Sequence, residues 1–368
     1  MTIWGSTAGP RPGRVIAAGT ALLAGGVLLA ACSSGGASQQ TAAQATGSSA
    51  ASGASLAGQT ITLYNGQHEQ TTNALVKAFE KQTGVTVKVR SDDEDVLAQQ
   101  IAQEGTHSPA DVFFTENTPP LVRLDEKGLL AKVAPGALID VPSQYSATDH
   151  DWVGVSARLS TLVYNTRDLK PSQLPTSVLG LADPKWKGKL DIAPSETDFQ
   201  PIVTSVDAQI GDAATVTWLK ALKANAGVHS DPDNETLVAN VNKGVTQLGV
   251  INHYYWYRLK DEVGQAGLHS ALAPFAPHDA GYLLDVSGAA VLKSSQHQQA
   301  AQALVKFLVS RSGQQVLVKS DSWEYPIGDG VTNPALPPLA KAQPKNFSLT
   351  RIGDGSKAIS LLQQAGLL

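Results

Sequence analysis

Residues 59–116 switch back and forth between two hydrophobic periods, and this alternation limits the possible folds more than any other feature. "QTITLYNG" (59–66) is a short β-rich run that ends in Asn-Gly. "EQTTNALVKAFEKQTG" (69–84) places Leu75, Val76 and Phe79 at helical spacing and closes at Gly84, a residue suited to a helix C-cap. "VTVKVR" (85–90) alternates apolar and polar residues as a strand does. "DEDVLAQQIAQEG" (93–105) reads as a second helix with acidic residues in its first turn, where the helix dipole favours them. "ADVFFTE" (110–116) is a third strand. Strands and helices in alternation, joined by short loops, build βαβ units and a parallel sheet. The fold class is therefore α/β. Ligands of such sheets sit beyond the carboxyl ends of the strands. Asn65-Gly66-Gln67-His68 and Thr115-Glu116-Asn117 stand at such ends.

The middle of the chain is less regular. "GVSARLSTLVYNT" (154–166) reads as strands, and "DPKWKGKLDIAPSETDF" (183–199) as loop, strand and turn. "AATVTWLKALKANAG" and "TLVANVNKG" are helical, and "VTQLGVI" (245–251) is a strand. "SGAAVLK" (287–293) is a further strand, while "QHQQAAQALVKFLVSRSGQQVLVK" (296–319) and "SLLQQAGLL" are helical. No internal repeat is visible.

The first residues follow other rules. Arg11 and Arg14 precede an apolar, Ala/Leu-rich stretch, 15–31, and "LAAC" ends at Cys32. A basic start, a short apolar core and small residues before the cut make a secretory signal peptide over residues 1–31. Cys32 is the only cysteine, so no intramolecular disulfide can form. "LAAC" resembles a bacterial lipobox, which implies lipidation of Cys32 and a membrane anchor on an exported protein. The uncharged Ser/Gly/Ala/Gln run that follows cannot bury a core, so 32–57 is expected to be a lipidated, disordered tether. The 23 residues from Ser33 to Ser55 would reach on the order of 25–30 Å. The net charge is −4 with no long basic run, which gives nucleic-acid binding no support.

Aromatic residues are 6% of the chain, yet "INHYYWYRL" (251–259) holds four in a row. Such a cluster can pack a core, stack on a sugar face or bind a metal. Phenolate and carboxylate oxygens suit a hard cation, and imidazole suits iron. A trivalent ion can drive off a phenolic proton, because its charge dominates the local acid–base chemistry. Two phenolates and one carboxylate would balance Fe3+. Adjacent strand residues face opposite ways, so Tyr254 and Tyr255 can meet one ion only in a loop or at a helix start.

"YNGQHE" (64–69), "ADVFFTEN" (110–117) and "INHYYWYRL" together resemble the bacterial ferric-ion-binding proteins, the periplasmic or lipoprotein solute-binding components of iron ABC transporters. The resemblance runs from about Ile61 to the C-terminus and includes "DPKWKGKL" (183–190), "SGAAVLK", "EYPI" (324–327) and the closing "QQAGLL". It implies a two-lobed, type II periplasmic-binding-protein-like fold with a ligand cleft between lobes and hinge crossovers. One lobe would comprise 58–157 plus 288–335, and the other 158–287 plus 336–368. It also implies Fe3+ ligation by His68, Glu116, Tyr254 and Tyr255. Asn117, Ser195, Asn234 and Asn252 match positions that hold a synergistic anion such as phosphate, carbonate or citrate. Two residues depart from the family pattern. Glu196 stands where relatives usually have a small glycine, and a carboxylate there would repel phosphate. His253 replaces a neutral polar residue.

The expected function is extracytoplasmic capture of ferric iron by a monomer, with delivery to an inner-membrane ABC permease and its ATPase subunit. The same architecture could instead hold a sugar, polyamine or organic anion, with the aromatics as stacking surfaces. No enzyme is expected: neither G-x-S-x-G nor H-E-x-x-H occurs, and no two-histidine-one-carboxylate spacing stands out. Trp256 and Tyr257 are expected to pack and hydrogen-bond beside the tyrosine pair. "DDED" (92–95) is read as an acidic helix start.

Overall fold

The computed structural model describes residues 56–345, 348–349 and 352–368. The signal peptide, Cys32 and nearly all of the tether expected from the sequence lie outside them.

The alternation in 59–116 folds as its periodicity dictates. Strand β1 (Thr60–Gly66) pairs in parallel with β2 (Thr86–Ser91) on one side and with β3 (Val112–Thr115) on the other. Helices α1 (Glu69–Thr83) and α2 (Glu94–Glu104) make the crossovers. Gly84 ends α1 in the left-handed conformation, φ 72°, and its N–H returns to the Glu80 carbonyl. Helix α3 (Thr118–Glu126) follows β3, and β4 (Leu130–Ala131) is a short edge piece.

The stretch read as strands from Gly154 is one strand, β5 (Val153–Asn165), of 13 residues. Beyond it lie β6 (Leu190–Asp191), β7 (Leu248–Asn252), β8 (Ser270–Ala273), β9 (Leu284–Leu292) and β10 (Tyr325–Pro326). The strand order is β2-β1-β3-β9-β5-β7-β6. The first half of β5 pairs with β9 through Val153 to Leu159, and its second half pairs with β7 from Ser160. At about 3.3 Å per residue such a strand spans roughly 40 Å, long enough to serve two cores.

Two large apolar cores lie along it. One collects β1–β3, Val153, Val155 and Ala157 of β5, β9, and the helix Gln298–Val309. Phe79 of α1 packs against Phe307 there, with ring centroids 5.6 Å apart. Burying a side chain of that size contributes about 1.5–3 kcal/mol. The other collects Leu162 and Tyr164 of β5, Leu248 and Val250 of β7, and Ala358, Leu361 and Leu362 of the helix Ser356–Ala365. A third, smaller group surrounds Tyr254 and Tyr255 with Val163, Leu237, Val241 and Ile251. Where β5 leaves the first core, its side chains turn polar yet stay buried: Arg158, Ser160 and Thr161.

One helical run is divided. Residues 296–319 form two helices, Gln298–Val309 and Arg311–Lys319, because Ser310 adopts extended geometry and its hydroxyl caps the second by accepting from Gly313 N–H.

Candidate metal centre

All four expected iron ligands stand within three residues of the carboxyl end of a strand. His68 follows β1 and is the N-cap position of α1. Its neighbour Gln67 fixes the turn: Gln67 Oε1 accepts from His68 N–H at 2.7 Å, and Gln67 Nε2 donates to Ser287 Oγ at 3.1 Å. Gly66 is required here by close approach. A Cβ at Gly66 would lie 2.4 Å from Glu94 Cβ and 2.8 Å from Glu94 Cα. The missing side chain lets the start of α2 press against the end of β1 and turns Glu94 inward.

Glu116 and Asn117 follow β3 and are pinned by that buried Glu94. Glu94 Oε2 accepts from both Glu116 N–H and Asn117 N–H at 2.8 Å, and Oε1 accepts from Asn117 Nδ2 at 2.8 Å. Arg158, fully buried on β5, donates to the Glu116 carbonyl from the other side. The same guanidinium lies 3.3 Å from Glu324, 3.6 Å from Asp285 and 3.6 Å from Asp198.

The tyrosines arrive from the second core. Strand β7 ends at Asn252, and the helix His253–Gly267 begins at once, so Tyr254 and Tyr255 occupy its first turn. A helix start brings neighbouring side chains to one place, as the sequence argument required. Their rings sit 4.2 Å apart and are 0% and 2% exposed. Tyr254 Oη contacts Glu116 Oε1 and lies 3.2 Å from His68 Nε2. His68 Nε2 is 3.1 Å from Glu116 Oε1. A carboxylate below joins the two phenols: Asp198 Oδ2 is 3.1 Å from Tyr254 Oη and 3.0 Å from Tyr255 Oη. Metal–donor bonds of about 2.0–2.1 Å in an octahedron put neighbouring donors roughly 2.9 Å apart. The contacts between these donors approximate such edges.

Burial and charge set the acid–base states. Burial, then Asp198 and Glu116, push the Tyr254 and Tyr255 hydroxyls well above their ordinary range, so both are phenols unless a cation displaces their protons. Burial opposes ionisation of Glu116, but His68, Arg158 and the Tyr254 hydroxyl outweigh it and hold the carboxyl well below its ordinary range. Burial likewise opposes the charge on His68, and Glu116 overcomes it and raises the pKa. Burial and Glu116 push Glu94 up to about 8 against the pull of its amide donors. Burial, Asp198 and Glu116 push Glu196 up to about 9, a measure of the negative charge already gathered here. Arg158 stays protonated because Asp285, Asp198, Glu116 and Glu324 together outweigh its desolvation.

The structure thus brings His68, Glu116, Tyr254 and Tyr255 together. Of the expected anion-holding residues, Asn117, Asn234 and Asn252 gather at the same place, and each hydrogen-bonds Asp198. Ser195 does not join them: it is exposed, and its hydroxyl donates to the Pro232 carbonyl at 3.4 Å. His253 turns from the pocket. Its Nδ1 accepts from Leu159 N–H at 3.2 Å, its ring stacks on Tyr325 at 4.8 Å, and burial lowers its pKa to about 3. Tyr257 stacks on Trp323 at 5.0 Å and meets Trp256 edge-on, so both pack as expected, although Trp256 Nε1 has no hydrogen-bond partner.

Sequence reasoning missed Asp198, Arg158 and Glu94. Asp198 lies two residues beyond the Glu196 that drew notice in "PSETD". Arg158 is the one charge in a β-rich run. Glu94 sits inside "DDED", where Asp93 does cap α2 through the N–H groups of Asp95 and Val96. Among the described residues, a second acidic group, Asp125, Asp149 and Asp151, brings its oxygens within 4.8 Å of one another.

A model of the bacterial extracellular solute-binding protein family matches residues 65–315. The Fe(3+)-binding periplasmic protein of Serratia marcescens is 38% identical over 325 residues, which cover 88% of this chain and 94% of that one. Among solved structures, iron-bound HitA from Pseudomonas aeruginosa matches with 40% identity and a TM-score of 0.79, covering 84% of this chain and 99% of that one. Trichodesmium FutA in complex with iron and citrate matches with 27% identity and a TM-score of 0.70, covering 83% of this chain and 99% of that one. These matches bear out the two-lobed, type II fold expected from the sequence.

Proposed function

Because the chain belongs to the bacterial extracellular solute-binding proteins and, within them, to the ferric-ion-binding proteins, we propose that it captures Fe3+ outside the cytoplasm for transport. The ligands in this reading are Tyr254, Tyr255, His68 and Glu116. The observation that carries it is the meeting of the Tyr254 phenol oxygen with the His68 nitrogen and the Glu116 carboxylate, with the Tyr255 phenol beside it on the shared Asp198 oxygen. Packing alone gives no reason to bury two tyrosyl hydroxyls against carboxylates.

Ferric iron displaces the two phenolic protons into water, and each phenolate gains a bond to the ion. His68, whose pKa Glu116 raises, gives up any proton on Nε2 to become a donor, and the Glu116 carboxylate adds another. The Tyr254 and Tyr255 rings, 0% and 2% exposed, present no face on which a sugar could stack. The ligands come from different cores joined by β5, so hinge motion about that strand would open and close the site. The reading extends to delivery to an ABC permease with its ATPase subunit, and to anchoring through Cys32. No described helix is long and apolar enough to cross a membrane.

Tyrosinate–Fe3+ complexes absorb visible light, so titrating ferric citrate into the apo protein tests the proposal. An orange to red colour that weakens in Tyr254→Phe and Tyr255→Phe is expected. A colourless mixture, or colour that survives both substitutions together, would refute phenolate ligation.

A further inference from the structure

Beside the two phenols of the proposed ferric site stands an unexpected carboxylate, and the residues that hold it suggest its role. Asp198 lies in the turn Thr197–Phe199 and is 93% buried. Asn117 Nδ2 donates to its Oδ1 at 3.1 Å, Asn234 Nδ2 donates to its Oδ2 at 3.5 Å, and the Asn252 side chain also hydrogen-bonds it. Arg158 Nε stands 3.6 Å from Oδ1. These three asparagines are the positions that, by resemblance, would hold a separate anion beside the iron. Here they are engaged by an anion built into the chain. Its Oδ2 lies about equally far from both phenol oxygens, at 3.1 and 3.0 Å.

We propose that Asp198 takes the place of the synergistic anion, so that this protein binds ferric iron with a carboxylate of its own and without phosphate, carbonate or citrate. The inference rests on the proposed iron site and adds a specificity-determining residue to it.

Charge and space both favour it. Two phenolates, Glu116 and Asp198 carry four negative charges against the three positive charges of Fe3+, and the Arg158 guanidinium, which Asp285 and Glu324 share, offsets part of the excess. A free phosphate entering the pocket would lose Asn117, Asn234 and Asn252 to Asp198. When the phenolic protons leave, the O–H donors that now face Asp198 Oδ2 are gone, and that oxygen is free to bond the ion.

The test supplies ferric perchlorate to apo protein in a non-coordinating buffer free of phosphate and purged of carbon dioxide. Two quantities are read: the visible tyrosinate band, and the iron retained against a competing chelator. Wild type should develop the band, and added phosphate or citrate should change retention by less than about twofold. Asp198→Ser vacates the position and should weaken retention roughly 10- to 100-fold, with phosphate restoring at least part of the loss. A wild-type band that needs phosphate, carbonate or citrate overturns the proposal and leaves the iron site standing. So does an Asp198→Ser protein no more dependent on anions than wild type. The wild-type arm needs no variant, so it decides the question even if Asp198→Ser fails to fold. A band absent under every condition would remove the iron site and this inference together.

Discussion

Two carboxylate clusters in this molecule could each pass for a cation site, and their surroundings could hardly differ more. Around Arg158, the carboxylates of Glu116, Asp198, Asp285 and Glu324 are buried, and two phenols and an imidazole join them. Asp125, Asp149 and Asp151 lie together near the surface, where Lys132 Nζ reaches Asp151 at 2.8 Å and Asp149 at 3.9 Å. The second cluster brings its oxygens closer as a trio, but it offers one kind of donor. The first excludes water, mixes oxygen and nitrogen donors and keeps protons that a trivalent ion can displace. Donor chemistry and burial separate the two, and the number of carboxylates does not.

The largest effect should come from removing the feature the surface cluster lacks. Tyr254→Phe or Tyr255→Phe deletes a direct ligand and should lower ferric affinity by well over about a hundredfold, since even outer-shell losses cost roughly 10–100-fold. Competition with a chelator of known affinity measures it.

Next comes pH. Both phenols are held protonated by burial and neighbouring carboxylates, and iron must displace both protons. Affinity should therefore rise with pH, falling about a hundredfold for each unit of acidification while two protons are released. A chelator competition that gives the same affinity at pH 6 and pH 8 would contradict the ligand set.

Gly66→Ala tests the scaffold rather than the donors. The new Cβ would meet Glu94 at 2.4 Å, and a clash of that kind costs about 1–3 kcal/mol. Thermal melting should show the destabilisation, and displacement of Glu94 should also loosen Glu116 and reduce ferric affinity by roughly tenfold. Unchanged affinity would mean that Glu94 does not position the ligand loop.

The smallest effect should come from the surface cluster. Asp149→Asn should leave ferric affinity within about twofold, since it touches no proposed ligand. It should slightly stabilise the fold near neutral pH. Burial, Asp151 and Asp149 push Asp125 up to about 7, so its contribution to stability is full below its ordinary range and is lost as pH rises toward 7. Removing the Asp149 charge reduces that loss. Asp149 itself is exposed, so the melting temperature should rise by no more than about 2 °C.

The α/β class and the strand ends left local signatures in the sequence, whereas the set of four proposed ligands came through the family resemblance. Alternating periods placed β1–β3 and the helices between them, and ring density marked Tyr254 and Tyr255. The groups that organise those ligands left fainter traces. Arg158 and Asp198 are 40 residues apart and meet only because β5 crosses from one core to the other. Glu94 looked like one more acidic residue at a helix start, and only the close approach allowed by Gly66 turns it inward. The long helical stretch at 296–319 hid a break because Ser310 serves both as an ordinary polar position and as a cap.

The claim that these donors form one ferric centre is tested most directly by anomalous diffraction at the iron edge from crystals of the iron-loaded protein. The account predicts one strong peak in the cleft, bonded to His68 Nε2, Glu116 and both tyrosyl oxygens at about 2.0–2.2 Å. A peak at Asp125, Asp149 and Asp151, or iron in the cleft with water in place of the phenols, would contradict it.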